Sequence, residues 1–552
     1  MTYMNPISES DISVALAQEL DRKSGLLPAR PDYAALLTSA AEVATLLAAE
    51  FAAQKPGSLG DVIFADKAAK GARPLTVLTL PDAVLYRALV NRLRDRLPDH
   101  LGDRESFTDF ETEPSKNSEA KYVVTLDVSA YFVYVDHDLL LGELIAQTGD
   151  STNSEALAKL LHEVMGRRVG LPQVSPVSDV LGDTHLDVVR RKLVRRGMNV
   201  TRYADYFRIT ASTLEAARQA LEDGAEELYG LGLVLNADKS RIFSKEKYDE
   251  SITKFRDAEK ELFTSETEES DLATILAFFA LDPYGSDKIV EVVSANAENG
   301  DNNHGRLDDD ATDNNGEPEE ALLLQHHPDS REEVEASEHV AESGTGQPSA
   351  AVTRAAIRAW ELWVDAEDQG RYDAAVTRKL AARALRVLGP ASEALPLQSL
   401  DRLMRQEPGL TTDVVAYLLS IPPGPTRIAA RGALDGLIGE RPQLSTWQKI
   451  WIAYAAGHLG RTRRAKTAVL RRRPYIKWLH TCLESNSPAL VATAASSLGI
   501  LALADVTDLV SAAGKVNEHW RPLVLWGLAH VDKSRALDCA DGLLERLVVE
   551  SM

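Results

Sequence analysis

Two aspartates stand where acid chemistry could be built. Asp127 closes the strand-like run AKYVVTLDV, and Asp205 lies between NVTRY and YFRIT. Those two runs of aromatic and branched residues read as short strands around a tight turn at Ala204–Asp205. Carboxylates delivered by separate strands of a rigid sheet can converge on Mg²⁺ ions, which activate a hydroxyl nucleophile and stabilise a leaving pyrophosphate. Each aspartate alone also reads as a cap or a turn residue. The pair becomes a metal site only if the two strands are neighbours, so the surrounding elements matter first.

The residues around them alternate strand-like and helix-like patterns, as mixed α/β domains do. After Asp136 and His137, DLLLGELIAQ takes helical spacing, with Asp136 or Asp138 as its cap. SPVSDVLGDTHLDVVRRKLV reads as a helix with Pro176 near its start. TLEAARQALEDGAEELYG reads as an amphipathic helix ended by Gly230 or Gly232, and LVLNADKSRIF as a final strand. The resulting order, β-α-α-β-β-α-β, fits a small antiparallel sheet backed by helices.

The chain of 552 residues carries a net charge of −22, but unevenly. Residues 291–345 hold 16 acidic residues against Arg306 and Arg331, a net of −14, which leaves −8 for everything else. Acidity is therefore mostly a property of one segment, and basic surfaces elsewhere stay open. Residues 291–349 read as a disordered linker or surface insertion, rich in turn formers and poor in apolar residues. They separate an N-terminal part, 1–290, from an alanine- and leucine-rich part, 350–552, that is helical in pattern. There TWQKIWIAYAAGHLG, PALVATAASSLGILAL and RPLVLWGLAHV share small residues near the helix end, at intervals suited to HEAT-like helical hairpins. Cys482 and Cys539 are the only cysteines, too few for a disulfide framework or a cysteine zinc site. The N-terminus lacks a signal-peptide pattern and no uninterrupted apolar run reaches the length of a membrane span, so a cytoplasmic protein with no membrane partner is expected.

Read in order, LDVSAYFVYVDHDLLL, GLPQVSPVS, RYADYFRI and LGLVLNADKS resemble four successive palm motifs of reverse transcriptases. KAAKGARPLTVLTLPDAVLYRALVNRL, upstream, resembles the fingers motifs of the same family, so the resemblance covers about residues 60 to 245. It implies an α+β fold: a reverse-transcriptase fingers-palm domain followed by the all-α HEAT-like repeat domain. It further implies an RNA-directed DNA polymerase that adds dNTPs by two-metal catalysis, with Mg²⁺ or Mn²⁺ held by Asp127, the backbone carbonyl of Val128, and Asp205. By the same resemblance Lys67, with Lys70 as a competing candidate, and Arg73 hold the triphosphate. Tyr131 gates against a ribose 2′-hydroxyl, Gln173 lies on the loop against nucleotide and template, and Lys239 lies near the pyrophosphate. A palm followed by helical repeats resembles the bacterial abortive-infection and defence-associated reverse transcriptases. Membership would imply antiphage defence, atypical templating or priming, RNA or DNA partners including a noncoding RNA, a second protein, and a homo-oligomer.

Two positions depart from the family pattern. Tyr206 stands where a second aspartate is usual, and Val174 where a glycine is usual. A phenol cannot supply carboxylate charge, so weaker metal binding or altered metal preference follows. The alternative reading is a catalytically weakened nucleic-acid-binding or scaffold subunit beside an active polymerase. The run RTRRAKTAVLRRR has seven basic residues in 13 and reads either as a phosphate-binding surface or as a solvated helix face. Arg461, Arg463, Arg464, Arg471, Arg472 and Arg473 are its candidate contacts, and Tyr475 and Trp478 could stack bases or belong to the core.

Overall fold

The computed structural model describes residues 7–22, 25–53, 55–67, 71–101, 106–173, 175–253, 348–365, 374–438, 444–460 and 473–552. The acidic segment therefore lies outside the described residues except for its last two. So do Lys70, Val174, Arg461, Arg463, Arg464, Arg471 and Arg472.

Three helices open the chain: α1 (Glu9–Leu20), α2 (Pro31–Leu36) and α3 (Ala40–Ala52). The stretch Pro31–Ala52 is long and apolar enough to cross a membrane by length and composition, a stretch the sequence reading passed over. Its Tyr33, Leu36, Val43, Ala44 and Leu47 pack into a core with Ile12 and Leu16 of α1 and with Val548 from the far end of the chain.

A two-stranded hairpin follows, β1 (Asp61–Asp66) antiparallel to β2 (Ala72–Val77), with Ala65 opposite Arg73. Helices α4 (Leu80–Arg94) and α5 (Phe107–Lys116) lead to β3 (Tyr122–Asp127), then α6 (Tyr131–Tyr134), α7 (His137–Thr148), α8 (Ser151–Met165) and α9 (Val177–Arg195). Next come β4 (Asn199–Tyr203), β5 (Tyr206–Ala211), α10 (Leu214–Tyr229) and β6 (Arg241–Ser244). The second sheet has the order β4-β5-β3-β6 with every pair antiparallel. Five of the six residues of β3 are buried because the strand is central and covered on its faces. Helix α10 comes close because Gly224 has no side chain: a Cβ there would meet Leu126 Cδ1 at 2.6 Å.

Local signals account for much of this. Asp136 caps α7 by accepting from the Asp138 and Leu139 backbone N–H groups, each at 2.9 Å, which settles the choice of cap. Pro176 is the N-cap of α9, and α10 ends at Gly230. The expected final strand is shorter than LVLNADKSRIF. Only Arg241–Ser244 ladders with β3, and Leu235 makes one isolated bridge to Val128. The intervening Asn236–Ser240 turns over the end of β3, with Asn236 N–H donating to Asp127 O at 2.8 Å.

The C-terminal part contributes twelve helices among the described residues, α11 (Ala350–Val364) through α22 (Leu543–Glu550). Three of them explain the shared small residues: α16 (Thr446–Gly460), α18 (Pro488–Ile500) and α20 (Arg521–Ala529). A Cβ on Gly457 would lie 2.6 Å from Ser497 Oγ, and one on Gly499 would lie 2.1 Å from Gly527 O. The glycines are thus the contact points at which α16 meets α18 and α18 meets α20. At α18, residues Ala489 to Gly499 are all buried, which suits a helix enclosed on every side.

The two halves are not separate cores. Ile63, Ala65, Leu75 and Val77 of the hairpin belong to the same hydrophobic cluster as Trp447, Ile450 and Leu523 of the helical part. Alternate residues Val62 and Phe64 face outward. The division at the acidic segment is therefore one of chain order, while packing joins hairpin and helices.

Candidate active site

The sheet register brings the two aspartates together. Asp127, the last residue of β3, pairs with Tyr206, the first of β5, and Asp205 immediately precedes it. The β4–β5 turn has two residues, with Tyr203 opposite Tyr206. Ala204 there holds φ 49°, a left-handed value that strains a residue carrying Cβ by about 1–2 kcal/mol. A buried ion pair holds it in place: Arg202 Nη1 donates to Asp183 Oδ1 of α9 at 2.7 Å and to Ala204 O at 2.8 Å. Ala130, after Asp127, also has a left-handed φ, 48°. Asp205 thus adjoins strained backbone, as functional turns often do, and Asp127 stands three residues ahead of Ala130.

Electrostatics follow from that proximity. Burial, then the neighbouring Asp127 charge, pushes the Asp205 carboxyl up to about 6, although Lys239 and Lys67 pull against the rise. Asp127 is 4% exposed and Asp205 half-buried. Lys239 Nζ donates to Asp127 Oδ2 at 3.0 Å and lies 3.3 Å from the Tyr206 hydroxyl. Burial alone would depress Lys239, but Tyr206 and Asp127 hold it above the usual ammonium value. Ser240 Oγ accepts from Asp127 N–H at 3.2 Å, and Val128 N–H donates to Asp205 O at 3.2 Å. Val128 thereby joins the two acidic elements through its backbone.

Tyr206 is positioned rather than incidental. Its ring meets Phe107 of α5 edge-on at 6.4 Å, and Phe107 also packs on Tyr203 at 5.3 Å. The tyrosine therefore trades the charge of a second carboxylate for packing and a polar contact with Lys239. Lys67, at the end of β1, is exposed. Burial of its surroundings lowers it first, then Arg73 and Lys239, against the attraction of Asp205 and Asp127. Lys67, Arg73 and Lys239 thus share one electrostatic environment with the two aspartates.

Other candidates fall elsewhere. Tyr131 is 3% exposed, with its hydroxyl donating to Gly182 O at 2.6 Å and its ring 5.2 Å from Phe132, so it is core in this conformation. Gln173 ends a loop pinned by Gly170 N–H to Val135 O at 2.8 Å and Leu171 N–H to Phe132 O at 2.7 Å. Arg473 is paired with Asp435 at 3.4 Å at the start of α17 (Pro474–Cys482). Tyr475 is fully buried and the partly buried Trp478 packs against the same cluster, so of the two readings the structure bears out the core one for Tyr475. Sequence reasoning placed the turn at Ala204 but missed Arg202 and Asp183, because an arginine–aspartate pair between a strand and a helix leaves no local pattern.

Among the described residues no cluster of three or more His, Cys, Asp or Glu side chains is poised for a metal. Two hard carboxylates held side by side are donor chemistry suited to Mg²⁺ or Mn²⁺. No curated protein matches the chain. Residues 56–264, from just ahead of β1 to beyond β6, match the family model of reverse transcriptase (RNA-dependent DNA polymerase), so the chain carries a reverse transcriptase domain around these two aspartates.

Proposed function

We propose that the protein is a reverse-transcriptase-like DNA polymerase that adds dNTPs and acts in antiphage defence in the cytoplasm. One observation supports the chemistry above the others: Asp127 and Asp205 adjoin on neighbouring strands, within the electrostatic reach of Lys67 and Lys239. Asp127 and Asp205, with the Val128 carbonyl, would hold Mg²⁺ or Mn²⁺. The cation, when bound, supplies activation of the 3′-hydroxyl and neutralises charge on the departing pyrophosphate. Asp205 has to be ionised to take part, and burial with the Asp127 charge pushes its carboxyl up to about 6 in the metal-free protein, so a cation that binds there must displace that proton. Lys67 and Arg73 neutralise the triphosphate as a point charge and a forked donor. Lys239 contributes positive charge beside Asp127 and is the group that must yield Asp127 Oδ2 to an incoming cation. Gln173 as template contact belongs to the same reading; Tyr131, packed in the core with its hydroxyl on Gly182 O, is not carried into it as a sugar gate.

The defence role rests on architecture, a reverse transcriptase domain joined to helices that read as HEAT-like repeats. RNA or DNA, a noncoding RNA, a second protein and further copies of the chain are the partners it implies. Phage plating on cells expressing the wild type and Asp127→Asn tests it. Protection by the wild type alone supports a defence polymerase, and no protection by either removes the defence role. A second reading, a weakened nucleic-acid-binding or scaffold subunit beside an active polymerase, draws on Tyr206 in place of a carboxylate. Equal protection by wild type and Asp127→Asn favours it.

A further inference from the structure

Strand β1 is fastened to the helical domain at both ends. Trp520 Nε1 donates to Asp61 Oδ2 at 2.6 Å, and the Ser445 hydroxyl donates to the Asp66 carboxylate. Those ends lie about 17 Å apart on an extended strand, so two attachments fix its direction where one would leave a pivot. Between them Ile63 and Ala65 enter the shared core with Trp447. Ser445 is itself held rigidly as the cap of α16. Its hydroxyl accepts from Gln448 N–H at 3.1 Å, while Gln448 Oε1 accepts from Ser445 N–H at 3.1 Å. The Gln448 amide donates to Met404 O at 2.9 Å and contacts Thr411 Oγ1 at 3.1 Å. The Asp66 carboxylate therefore meets the positive end of a helix anchored deep in the C-terminal domain. The next residue is Lys67, whose N–H closes onto Gly71 O at 2.9 Å.

We propose that Ser445 and Asp66 are positioning residues through which the helical domain sets the reach of Lys67 and Arg73 toward a nucleoside triphosphate. The inference rests on the polymerase reading and extends it: the C-terminal domain is a working part of the nucleotide site. A hairpin free to swing would still carry both cations but would hold them in the binding geometry for only part of the time.

The test is dNTP incorporation by the full chain, with KM for dNTP, kcat and melting measured together. Ser445→Ala and Asp66→Ala should each raise KM about five- to tenfold, the worth of one ordinary intramolecular hydrogen bond, with kcat within about twofold. Ser445→Thr, which keeps the hydroxyl, should restore the wild-type KM. Gly389→Ala, which crowds Ser420 and Tyr417 within the helical part and touches neither Ser445 nor Asp66, should lower the melting midpoint and leave KM near wild type. An unchanged KM in Asp66→Ala, or an equal rise in Gly389→Ala, overturns the inference. If the wild type neither incorporates nor binds dNTP, the polymerase reading fails and this inference with it. If the wild type is active and Asp127→Asn is dead while Asp66→Ala keeps its KM, this inference fails alone.

Discussion

Asp205→Asn should make the metal-free protein more stable while destroying its proposed activity. The Asp205 carboxyl stands at about 6 in the fold against 3.8 for the free group, chiefly because burial and the Asp127 charge disfavour its ionised form. A shift of about two units corresponds to about 3 kcal/mol at 1.36 kcal/mol per unit. Asp205 keeps some exposure, and solvent screening reduces the expected gain to about 1–2 kcal/mol. The sign follows from linkage. Below the unfolded value both states are protonated and no penalty applies. Between 3.8 and about 6 the unfolded chain ionises while the fold resists, so wild-type stability drops as pH rises. Above about 6 the loss is complete. Thermal melting without divalent metal, at pH 4 and pH 7.5, reads it directly. The Asn variant should match the wild type at pH 4 and exceed it at pH 7.5 by about 2–6 °C for a unit the size of the fingers-palm domain. A variant less stable than wild type at pH 7.5, or an equal gap at both pH values, would refute the claim that Asp127 and burial load this carboxyl.

Three further outcomes follow from the geometry. Tyr206→Asp places a carboxylate beside Asp127 and should lower the Mn²⁺ concentration needed for half-maximal stabilisation by about tenfold, since ligand charge tunes affinity for hard cations; metal-dependent melting checks it. Arg202→Ala removes the guanidinium that faces the buried Asp183 carboxylate and should cost about 3–5 kcal/mol in denaturant unfolding, much of it recovered by Arg202→Met with Asp183→Leu. Gly499→Ala drives a methyl group against Gly527 O and should lower stability by about 1–3 kcal/mol, whereas Gly514→Ala, with open space around it, should be neutral or stabilising.

What could be read from the sequence was what local chemistry encodes. The buried-strand run YVVTLD, the strand YFRITA, the two-residue turn at Ala204–Asp205 and a cap at Asp136 or Asp138 all depend on neighbours in the chain, and each lies where its pattern placed it, with Asp136 the cap. The small residues near the ends of α16, α18 and α20 were visible, but their purpose as helix contact points was not. Long-range contacts left no trace. Nothing in DVIFAD shows that Asp66 meets Ser445 and Asp61 meets Trp520, because such hydrogen bonds impose no period on either segment. The overextended final strand has the same origin: LVLN looks like a strand, yet Asn236 to Ser240 is diverted to bond around Asp127. Tyr131 carries the residue type of a sugar gate, but Gly182 offers its carbonyl and the ring packs into the core. The site's essential pairing, Asp127 beside Asp205, was legible because strand order and motif order agree.

The central claim is that these two aspartates form one nucleotidyl-transfer site, and incorporation of labelled dNTP with Mg²⁺ or Mn²⁺ tests it most directly. The full chain should be assayed alone and with any nucleic acid that co-purifies, beside Asp127→Asn and Asp205→Asn. The account predicts incorporation by the wild type and its loss in both variants. Incorporation that survives either substitution would contradict it, as would a wild type that incorporates nothing under any of these conditions.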